Sequence, residues 1–518
     1  MRLTTFASVY IGTYDVTLEI FEVTRKNGIK SIDSIRKHLE IGTDTYATGK
    51  ISTENISALC EILQDYIRIA EGYQAEAIRA VAASSLREAE NNLFIIGQIQ
   101  QQTGLKVEIL SNSEQRLMSY KAIAASDPRF LELMDQGTAI IDVGGGSIQV
   151  SVFDGGALDT TLNLRIGSLR IRDRLAPVRV GTSNYERLVE EYISNKLHTF
   201  RDVHLRQRRF ENVILNGDFI TETLFRDIEA KQTHAVSRKK FDNWYNQIAR
   251  STDEELAEQL NIPAEFAPIL RPTAILYHKF VDEIGASRIY AAGASLSYAQ
   301  AVEYAETTKK LTLQHNFDED IISASRSLSR RYCVEQNHID NVDMIAMELF
   351  NAVRKIHGLK SRDRLLLRIA VILHEVGKYI SLNSSGECAY QIIMNNEIMG
   401  LSHREREMVA LAVKHNSFWF RRYEQFVQQY SIDQKRYLRI AQLTALLRVA
   451  NELDRSHMQK IKKVKASMKE NKLVIRVYVD EPFVLEENLI TRQLSFMNEV
   501  FNIQSVVKVT KIDRLQTQ

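Results

Sequence analysis

Two strand–glycine turn–strand segments, one near residue 12 and one near residue 144, share a single pattern of apolar and small residues. Alternating apolar residues predict a β-strand on each side of each turn. The similarity has two explanations: chance agreement between short segments, or two homologous lobes that each open with this unit. The aligned positions are Val9-Tyr10-Ile11-Gly12 with Ile141-Asp142-Val143-Gly144, and Val16, Leu18, Ile20 and Phe21 with Ile148, Val150, Val152 and Phe153.

The length of the chain predicts several domains, because 518 residues exceed what one hydrophobic core supports. We expect three or four. The 67 Lys and Arg residues nearly balance the 65 Asp and Glu residues, which removes the case for a strongly basic nucleic-acid coat. Only 22 Gly and 6 Pro residues occur, and this scarcity favours helices over a loop-rich all-β chain.

Cysteine usage and hydropathy bear on where the protein resides. Cys60, Cys333 and Cys388 are far apart and form no CxxC pair, which fits a reducing compartment. The sequence has no signal-peptide pattern and no stretch of roughly 18 uncharged apolar residues. We therefore expect a cytoplasmic protein without a membrane-spanning segment.

The order of predicted elements divides the chain. Strands alternate with helices up to about residue 128 and again from about residue 129, which indicates α/β layers. From about residue 312 to 460 the pattern is one of amphipathic helices rich in His, Arg and Leu. The last segment predicts strand, helix, strand. The expected fold class is α/β, followed by an all-α domain and a small α/β domain.

The second glycine turn is the strongest local signal for a ligand site. Three glycines after a buried strand let backbone N–H groups approach an anion closely, and Asp142 at the strand end can hold a divalent cation or its water. The first turn would form the opposing half of a clamp. The alternative is an ordinary tight hairpin in which glycine supplies a positive φ. The residues assigned to phosphate binding are Gly12, Thr13, Gly144, Gly145, Gly146 and Ser147.

Two predicted helix starts carry charged residues. Arg87 follows Ser84 and Ser85, and a guanidinium beside a helix N-terminus suits an anion. A solvated arginine in the first turn is equally compatible with this pattern. Glu114 lies in the first turn of a helix that begins in SNSEQRL, where a carboxylate favours the helix dipole without any catalytic role.

Candidate metal ligands lie on separate predicted helices of the helical region. Imidazole and carboxylate groups from different helices of a bundle can converge on a divalent ion. The alternative is that these histidines are ordinary core or surface residues. The candidates are His338, the adjacent pair His374 and Glu375, and Asp454.

Six segments occur in an ordered series along most of the chain: FASVYIGTYDVTLEIFEV, VAASSLREAEN, VEILSNSEQRL, AIIDVGGGSIQVSVF, LRIGSLRIRDRL and ILHEVGKYIS. Together they resemble the exopolyphosphatase and guanosine pentaphosphate phosphohydrolase (Ppx/GppA) family. The resemblance implies an actin-like fold of two ribonuclease-H-like lobes at residues 1–128 and 129–306. It further implies an HD-like helical domain at 312–460 and a small α/β C-terminal domain at 461–518.

The resemblance also implies an activity, the Mg²⁺-assisted hydrolysis of the terminal phosphoanhydride of inorganic polyphosphate or guanosine pentaphosphate. Under this reading Glu114 acts as the base on water, Asp142 holds the metal ion, and Arg87 binds phosphate together with both glycine turns. Cation, amide donors and arginine are the groups that neutralise an anionic transition state. The resemblance implies a homodimer as well.

The sequence departs from the family pattern at positions that carry its chemistry. Tyr10 and Gln149 stand where the family has carboxylates. A gapless alignment puts Gln115 at the position of the base, whereas the deletion of one residue puts Glu114 there. Because a glutamine cannot take a proton, this register decides between a hydrolase and a binding protein.

Two hypotheses follow. The first is a Mg²⁺-dependent exopolyphosphatase-like hydrolase with Glu114 as its base. The second is a catalytically impaired homologue that binds polyphosphate or guanosine pentaphosphate as a sensor or interaction protein. The helical domain departs from its pattern too, since His374-Glu375 replaces His-Asp and Asn451 stands where Asp often occurs, which weakens the case for a metal ion there. No specific nucleic acid and no membrane partner are expected.

Overall fold

The computed structural model describes residues 4–179, 185–205, 210–217, 219–224, 233–417 and 419–512. Contacts between Cα atoms divide the chain into two compact units, Met1–Phe317 and Asp318–Gln518. The boundary lies a few residues beyond the point where the helical region was predicted to begin. The finer predicted division into four domains stays a prediction.

A five-stranded sheet forms the first half of unit 1, in the order β3-β2-β1-β4-β5. Its strands are β1 (Thr4–Ile11), β2 (Asp15–Thr24), β3 (Gly28–His38), β4 (Ala77–Ala82) and β5 (Val107–Ile109). Its helices are α1 (Ile41–Thr48), α2 (Thr53–Gly72), α3 (Ser84–Glu88), α4 (Asn92–Thr103) and α5 (Asn112–Ser126).

Helix α2 shows why the predicted periodicity produces this layer. Ser52 accepts a hydrogen bond from Asn55 N and so caps the first turn. Leu59, Leu63 and Tyr66 recur at helical spacing and are fully buried. They pack with apolar residues of β1 and β2 in one core, which fixes α2 on the face of the first sheet.

A six-stranded sheet forms the second half of unit 1, in the order β10-β11-β9-β6-β7-β8. Its strands are β6 (Thr138–Val143), β7 (Ile148–Asp154), β8 (Ala157–Leu164), β9 (Asn212–Asn216), β10 (His234–Val236) and β11 (Arg288–Ala292). The helices that follow along the chain are α6 (Phe130–Asp135), α7 (Ser168–Arg179), α8 (Tyr185–Phe200), α9 (Ile220–Leu224), α10 (Arg238–Arg250), α11 (Asp253–Leu260), α12 (Ala267–Ile284) and α13 (Leu296–Thr307). Helix α13 packs on β1 and β2 of the first sheet. A π-helical turn at Arg201–Leu205 and a 3-10 turn at Ala264–Phe266 complete this half.

The two sheets repeat one topology, which confirms the interpretation of the sequence repeat as two related lobes. The order β8-β7-β6-β9-β11 matches β3-β2-β1-β4-β5 strand for strand, and β10 is an addition at the edge. The register repeats as well: Tyr10 pairs with Thr17 in the first hairpin, and Asp142 pairs with Gln149 in the second. In both sheets the first hairpin is antiparallel and the central strand then pairs in parallel with the next strand.

Unit 2 consists of a helical part followed by a small sheet. The helices of the first part are α14 (Phe317–Arg331), α15 (Gln336–His357), α16 (Ser361–Leu373), α17 (Ser385–Asn395), α18 (His403–Ser417), α19 (Tyr423–Tyr430) and α20 (Gln434–Glu452), with a 3-10 turn at Val376–Tyr379. The remaining elements are β12 (Ile461–Lys469), β13 (Lys472–Val479), α21 (Val484–Leu489), α22 (Thr491–Phe501) and β14 (Gln504–Lys511). The three strands form a sheet in the order β12-β13-β14.

The C-terminal sheet corrects one expectation. The predicted strand, helix, strand order covers β13, α22 and β14 but omits the lysine-rich strand β12. Among the described residues, no helix is both long and apolar enough to cross a lipid bilayer.

Candidate functional site

The two glycine turns of unit 1 close with the same hydrogen bond. In the first turn (residues 12–15) Gly12 N donates to Asp15 O at 2.9 Å, and in the second turn (residues 144–147) Gly144 N donates to Ser147 O at 3.0 Å. Each turn joins two antiparallel strands that belong to the centre of its sheet. Because the hairpins are equivalent, the turns occupy equivalent places in the two halves of the unit.

Both turns line one cavity of about 50 Å³. A water needs roughly 10–15 Å³ by this measure, so the cavity has room for a few waters or a single phosphoryl group. The predicted residues that line the cavity are Gly12, Thr13, Asp142, Gly144, Gly145, Gly146 and Ser147.

The turns touch one another across the cavity. A Cβ atom on Gly145 would overlap the hydroxyl oxygen of Thr13, and one on Gly146 would overlap the hydroxyls of Tyr46 and Ser84. These glycines are thus required for close approach of the two halves. This differs from the expected role of a hairpin glycine, because neither residue has a positive φ.

Residues at the start of helix α7 donate hydrogen bonds to the carbonyl oxygens of the second turn. Ser168 N donates to Gly144 O and Arg170 N to Gly145 O, each at 3.1 Å, and Arg170 Nε donates to Gly146 O at 3.0 Å. In a trans peptide the N–H points opposite to the carbonyl of the same plane. The N–H groups of residues 145, 146 and 147 are therefore directed away from α7, and within the described part of the chain they donate to no protein acceptor.

Asp142 supplies a carboxylate at the end of β6. Asn216 Nδ2 and Ser119 Oγ lie 3.3 and 3.4 Å from Asp142 Oδ2. Gln149 is its cross-strand neighbour, and the buried Gln149 Oε1 accepts no hydrogen bond from any described residue. Two oxygen donors are thus adjacent at the cavity, which suits a hard cation such as Mg²⁺.

Glu114 is held in the cap of α5 and is not among the residues that line the cavity, and its role as the base stays a prediction. Ser111 N donates to Glu114 Oε2 at 2.9 Å, and Glu114 N donates to Ser111 Oγ at 3.2 Å. This reciprocal capping box occupies the carboxylate at the start of α5. Gln115, the next residue, lines the cavity.

Arg87 lies in α3, the helix predicted for it, and binds residues at the start of α5. Its guanidinium donates to the Leu110 carbonyl and to the Asn112 side chain. Arg87 is absent from the cavity lining, whereas Ser84 of the same helix lines it. In this conformation the guanidinium joins α3 to the start of α5, and a contact of Arg87 with phosphate stays a prediction.

Three residues beside the turns, Tyr46, Ser84 and Arg170, were not predicted as site residues from the sequence. Tyr46 OH lies 3.1 Å from Ser84 Oγ, and the Arg170 guanidinium carbon lies 3.8 Å from the centre of the Tyr46 ring. Burial raises the pKa of Tyr46 to about 12, so the phenol stays protonated and can donate. Ser84 and Arg170 lie in two of the segments that carry the family resemblance, and this could have marked them as candidate site residues. Tyr46 lies in none of those segments.

Unit 2 brings the predicted metal candidates together. His338 Nε2 and His374 Nε2 are 3.2 Å apart, and each lies 3.9 Å from Glu375 Oε1. Within the described residues, these three side chains form a group whose candidate ligand atoms all lie within 4.8 Å of one another. Asp454 Oδ2 lies 2.7 Å from His338 Nδ1. The predicted convergence is confirmed, and metal binding stays a prediction.

Burial and charge set the protonation of this cluster. Burial lowers the pKa of His374 to about 4. Burial alone would raise the pKa of Glu375, but the hydrogen bond from His457 and the charges of its neighbours bring that pKa well below its usual range. The same hydrogen bond, which His457 donates to Glu375, raises the pKa of His457.

Comparison with known proteins places the chain in a family and supports the fold described above. Residues 20–296 match the model of the Ppx/GppA phosphatase family, and residues 322–497 match the model of Ppx/GppA phosphatase, domain III. The solved exopolyphosphatase of Cytophaga hutchinsonii ATCC 33406 superposes with a TM-score of 0.52 at 16% identity, covering 59% of this chain and 98% of that one. This likeness shows a common fold, the actin-like fold of the family.

Two sequence relatives extend the comparison. The guanosine-5'-triphosphate,3'-diphosphate pyrophosphatase of Photobacterium profundum is 19% identical over 398 residues, which is 74% of this chain and 74% of that protein. The bifunctional 3-dehydroquinate synthase/phosphatase of Fusobacterium nucleatum is 25% identical over 224 residues, or 42% of this chain. The chain spans only 30% of that protein's length. Because the first family model covers more than half of the chain, this protein belongs to the Ppx/GppA phosphatase family.

Proposed function

We propose that the cavity between the two turns binds the phosphoanhydride end of inorganic polyphosphate or guanosine pentaphosphate, and that this chain is a catalytically impaired member of its family. The observation that carries the proposal is the presence of Gln115 in the cavity lining, with Glu114 held in its helix cap. Binding without efficient turnover is the behaviour of a sensor or interaction protein.

Anion binding is supported by the donors at the second turn. Three consecutive N–H groups, those of residues 145 to 147, point away from α7 and lack protein acceptors among the described residues. Such a run of backbone amides forms a concave anion site. The hydroxyls of Thr13 and Ser84 line the same cavity and add donors that a phosphoryl oxygen accepts.

Asp142 and Gln149 fit a bound Mg²⁺, because both offer oxygen atoms at the cavity. When bound, Mg²⁺ would neutralise part of the phosphate charge. Asp142 is the only one of the two with a formal charge, and its neighbour Asn216 donates to it and orients it. Since one carboxylate holds Mg²⁺ weakly, the phosphate oxygens themselves must supply further ligands.

The impairment follows from the chemistry of the amide. A general base contributes about 10²–10⁴ in rate, and a glutamine side chain has no basic site near neutral pH. Gln115 can still accept a hydrogen bond from water and so orient it. We therefore place the hydrolysis rate at least about a hundredfold below that of a chain with glutamate at this position.

The second candidate function is a Mg²⁺-dependent hydrolase with Glu114 as base. The retained Asp142 carboxylate favours it, as does the name of the Photobacterium relative, a pyrophosphatase of guanosine-5'-triphosphate,3'-diphosphate. It requires the Glu114 carboxylate to leave Ser111 N and reach the cavity. That movement exposes a helix N-terminus and costs about 1 kcal/mol.

Phosphate release separates the two candidates. Wild type, Glu114→Gln and Gln115→Glu are assayed with long-chain polyphosphate and with guanosine pentaphosphate in the presence of Mg²⁺. We expect Gln115→Glu to raise the rate at least about a hundredfold over wild type, and Glu114→Gln to change it by less than about twofold. Robust turnover by wild type that Glu114→Gln abolishes would overturn the proposal.

Calorimetry with the same ligands tests binding independently of turnover. Gly145→Ala is expected to abolish binding, because its Cβ would overlap Thr13 in the closed turns. Gly97→Ala, at an exposed position of α4 with no atom within 4 Å of the new Cβ, is the matched control and should bind as wild type does. Absence of heat with every ligand in wild type contradicts the proposal.

The remaining expectations from the resemblance belong to this proposal. We propose that the helical part of unit 2 is HD-like, that the three-stranded sheet forms a separate C-terminal domain, and that the protein acts as a cytoplasmic homodimer. Sedimentation measures the dimer directly.

A further inference from the structure

One face of the three-stranded sheet in unit 2 consists mainly of basic and small polar residues. In a strand, successive side chains point to opposite faces. Val464, Leu473, Ile475, Val477 and Val479 are buried and define the inner face. The residues between them form the outer face, which we name the lysine face. Its members are Lys463, Lys465, Ser467 and Lys469 of β12, Lys472, Val474, Arg476 and Tyr478 of β13, and Gln504, Val506, Lys508 and Thr510 of β14, paired in register across the sheet.

The lysine face carries six cations and no acidic side chain. All six are exposed, and within the described part of the chain none of them forms an ion pair. The two lysines just before them do have acidic partners, since Lys460 lies 3.1 Å from Glu486 and Lys462 lies 3.5 Å from Asp480. The near balance of charge over the whole chain thus conceals a local excess of positive charge. The six cations are Lys463, Lys465, Lys469, Lys472, Arg476 and Lys508.

The register places like charges side by side. Lys465, Arg476 and Lys508 form one row across the three strands, and Lys469 lies opposite Lys472 in another. Neighbouring strands are about 5 Å apart, and like charges directly opposite one another destabilise a sheet. An anionic partner that lies on the lysine face would remove this repulsion. The arrangement therefore favours a polyanion as the partner.

The centre of the lysine face is apolar and aromatic. Val474 of β13 pairs with Val506 of β14, and Tyr478 of β13 lies between Lys463 and Thr510. Val474, Val506 and Tyr478 are half-buried. Lysine and arginine side chains are longer than valine, so their charged ends stand above an apolar floor.

This floor distinguishes between classes of polyanion. Inorganic polyphosphate and the surface of an anionic bilayer would engage the charged ends and leave the floor in water. A nucleic-acid strand with unpaired bases covers both parts, because its phosphates pair with cations while its bases stack on aromatic and apolar side chains. A duplex has its bases already stacked and cannot offer them to Tyr478.

We propose that the lysine face binds single-stranded nucleic acid without preference for its sequence. A lysine ammonium is a point charge, and contacts to phosphate carry no sequence information. Stacking on Tyr478 is equally tolerant, since every base has a π-face. The lysine face belongs to unit 2, so this binding and the binding proposed for the cavity of unit 1 can each fail without the other.

Fluorescence anisotropy of the whole chain with a labelled single-stranded RNA of about 20 nucleotides measures this binding. Six phosphate contacts of about 0.7 each predict that log K falls against log salt with a slope near −4. Single-stranded DNA should bind similarly, because the proposed contacts do not use the 2′-hydroxyl. No detectable binding of either strand at about 50 mM salt would overturn the proposal, as would a duplex that binds as tightly as the single strand.

One triple variant removes the row of three cations: Lys465→Gln, Arg476→Gln and Lys508→Gln together. We expect its affinity for the RNA to be about 100-fold lower at about 0.1 M salt, with a salt slope smaller by about 2. The fold should persist, because the substitutions relieve repulsion between neighbouring cations.

The matched control combines Lys26→Gln, Lys30→Gln and Lys239→Gln, which change the net charge equally at exposed lysines of unit 1. Its affinity should stay within about twofold of wild type, since exposed charges outside a contact are largely screened by salt. An equal loss in both triple variants would show that binding depends on net charge alone, which contradicts a site on the lysine face.

Substitution of Tyr478 separates nucleic acid from other polyanions. Tyr478→Val keeps a β-branched residue in the strand and should weaken RNA binding about 5- to 100-fold, whereas Tyr478→Phe keeps the ring and should bind as wild type does. Binding of long-chain polyphosphate or anionic lipid vesicles should not change in Tyr478→Val. If Tyr478→Val binds RNA as tightly as wild type does, the bases do not use the floor and the proposal is wrong.

Discussion

Gln115 and Glu114 are neighbours in the chain, but an α-helix turns by about 100° between consecutive residues. Their side chains therefore reach different surroundings, the cavity for Gln115 and the helix cap for Glu114. Single residues are equally decisive at the second turn, because a Cβ on Gly145 would overlap Thr13 of the first turn and one on Gly146 would overlap the hydroxyls of Tyr46 and Ser84. At this scale, the residue that faces the cavity carries an amide, which cannot accept a proton as a carboxylate does.

Gly167→Ala is predicted to destabilise unit 1. The new Cβ would overlap the backbone of Gly145 and Gly146, and backbone moves less readily than a side chain. Overpacking of this kind costs about 1–3 kcal/mol. The measurement is the free energy of unfolding of unit 1 in urea.

Gly97→Ala is the control for this substitution. Gly97 lies in the interior of α4 with an open surface around it, so alanine should stabilise the protein by about 0.5–1 kcal/mol. If Gly167→Ala unfolds at the wild-type midpoint, the close approach of α7 to the second turn is refuted.

At the scale of elements, the starts of helices position the site. The capping box of α5 fixes the helix that carries Gln115, and the first residues of α7 bind the carbonyls of the second turn. Helix α7 is also tied to the first half of unit 1, because Arg172 donates to both oxygens of Glu40 at 3.0 and 2.7 Å. Elements of both sheets thus cooperate in holding the turns together.

Ser111→Ala is predicted to lower the free energy of unfolding by about 1 kcal/mol, because the N3 amide of α5 loses its acceptor. Ser126→Ala serves as the comparison. Ser126 lies at the other end of α5, where its hydroxyl donates to Ile123 O, and its loss should change stability by less than about 0.5 kcal/mol. Equal effects of the two substitutions would show that the cap is unimportant.

The Glu40–Arg172 pair predicts a pH dependence. Burial alone would raise the pKa of Glu40, but hydrogen bonds from Arg172 outweigh it and lower that pKa from 4.5 to about 2. A carboxylate with a lowered pKa stabilises the fold above pH 4.5, and this contribution is lost as pH falls toward 2. Glu40→Gln should therefore cost about 2 kcal/mol at pH 7 and less at pH 3, as measured by urea unfolding.

Glu90→Gln is the matched control for the pH experiment, because the Glu90 carboxylate pairs with Lys50 at 3.9 Å and both side chains are exposed. Exposed pairs contribute little. Its effect should be near zero at both pH values. A Glu40→Gln cost that does not change with pH would show that the pair is not the cause.

At the scale of the whole molecule, the chain consists of two compact units that carry different chemistry. Unit 1 contains the cavity at the two glycine turns, and unit 2 contains the histidine cluster. Both have cores of their own, with unit 1 built on two sheets and unit 2 on helices and a small sheet. Independent cores predict independent folding.

Fragments 1–317 and 318–518 are predicted to fold separately. Each should show cooperative urea unfolding and a helical circular dichroism spectrum, and the midpoints should match two transitions of the intact chain. A fragment that is soluble only when mixed with the other would contradict this expectation.

Sequence alone determined the features that depend on residues close together in the chain. Alternating apolar residues and glycines were sufficient to predict both hairpins and their repeat, and serine followed by glutamate marked the start of α5, because these interactions are local. Prediction from the sequence failed for strand β12, because a bulge between Ile461 and Lys463 interrupts the alternation of apolar residues that identifies a strand.

Tertiary structure decided everything that depends on distances between remote residues. Which of Glu114 and Gln115 meets the cavity, what Arg87 binds, and that Asn451 joins His338 and His374 all follow from packing of separate elements. No local pattern encodes those distances, because they are set by how whole helices and sheets bury their apolar faces. The sequence therefore determined the turns and helix ends, and only their packing determined which side chains form each site.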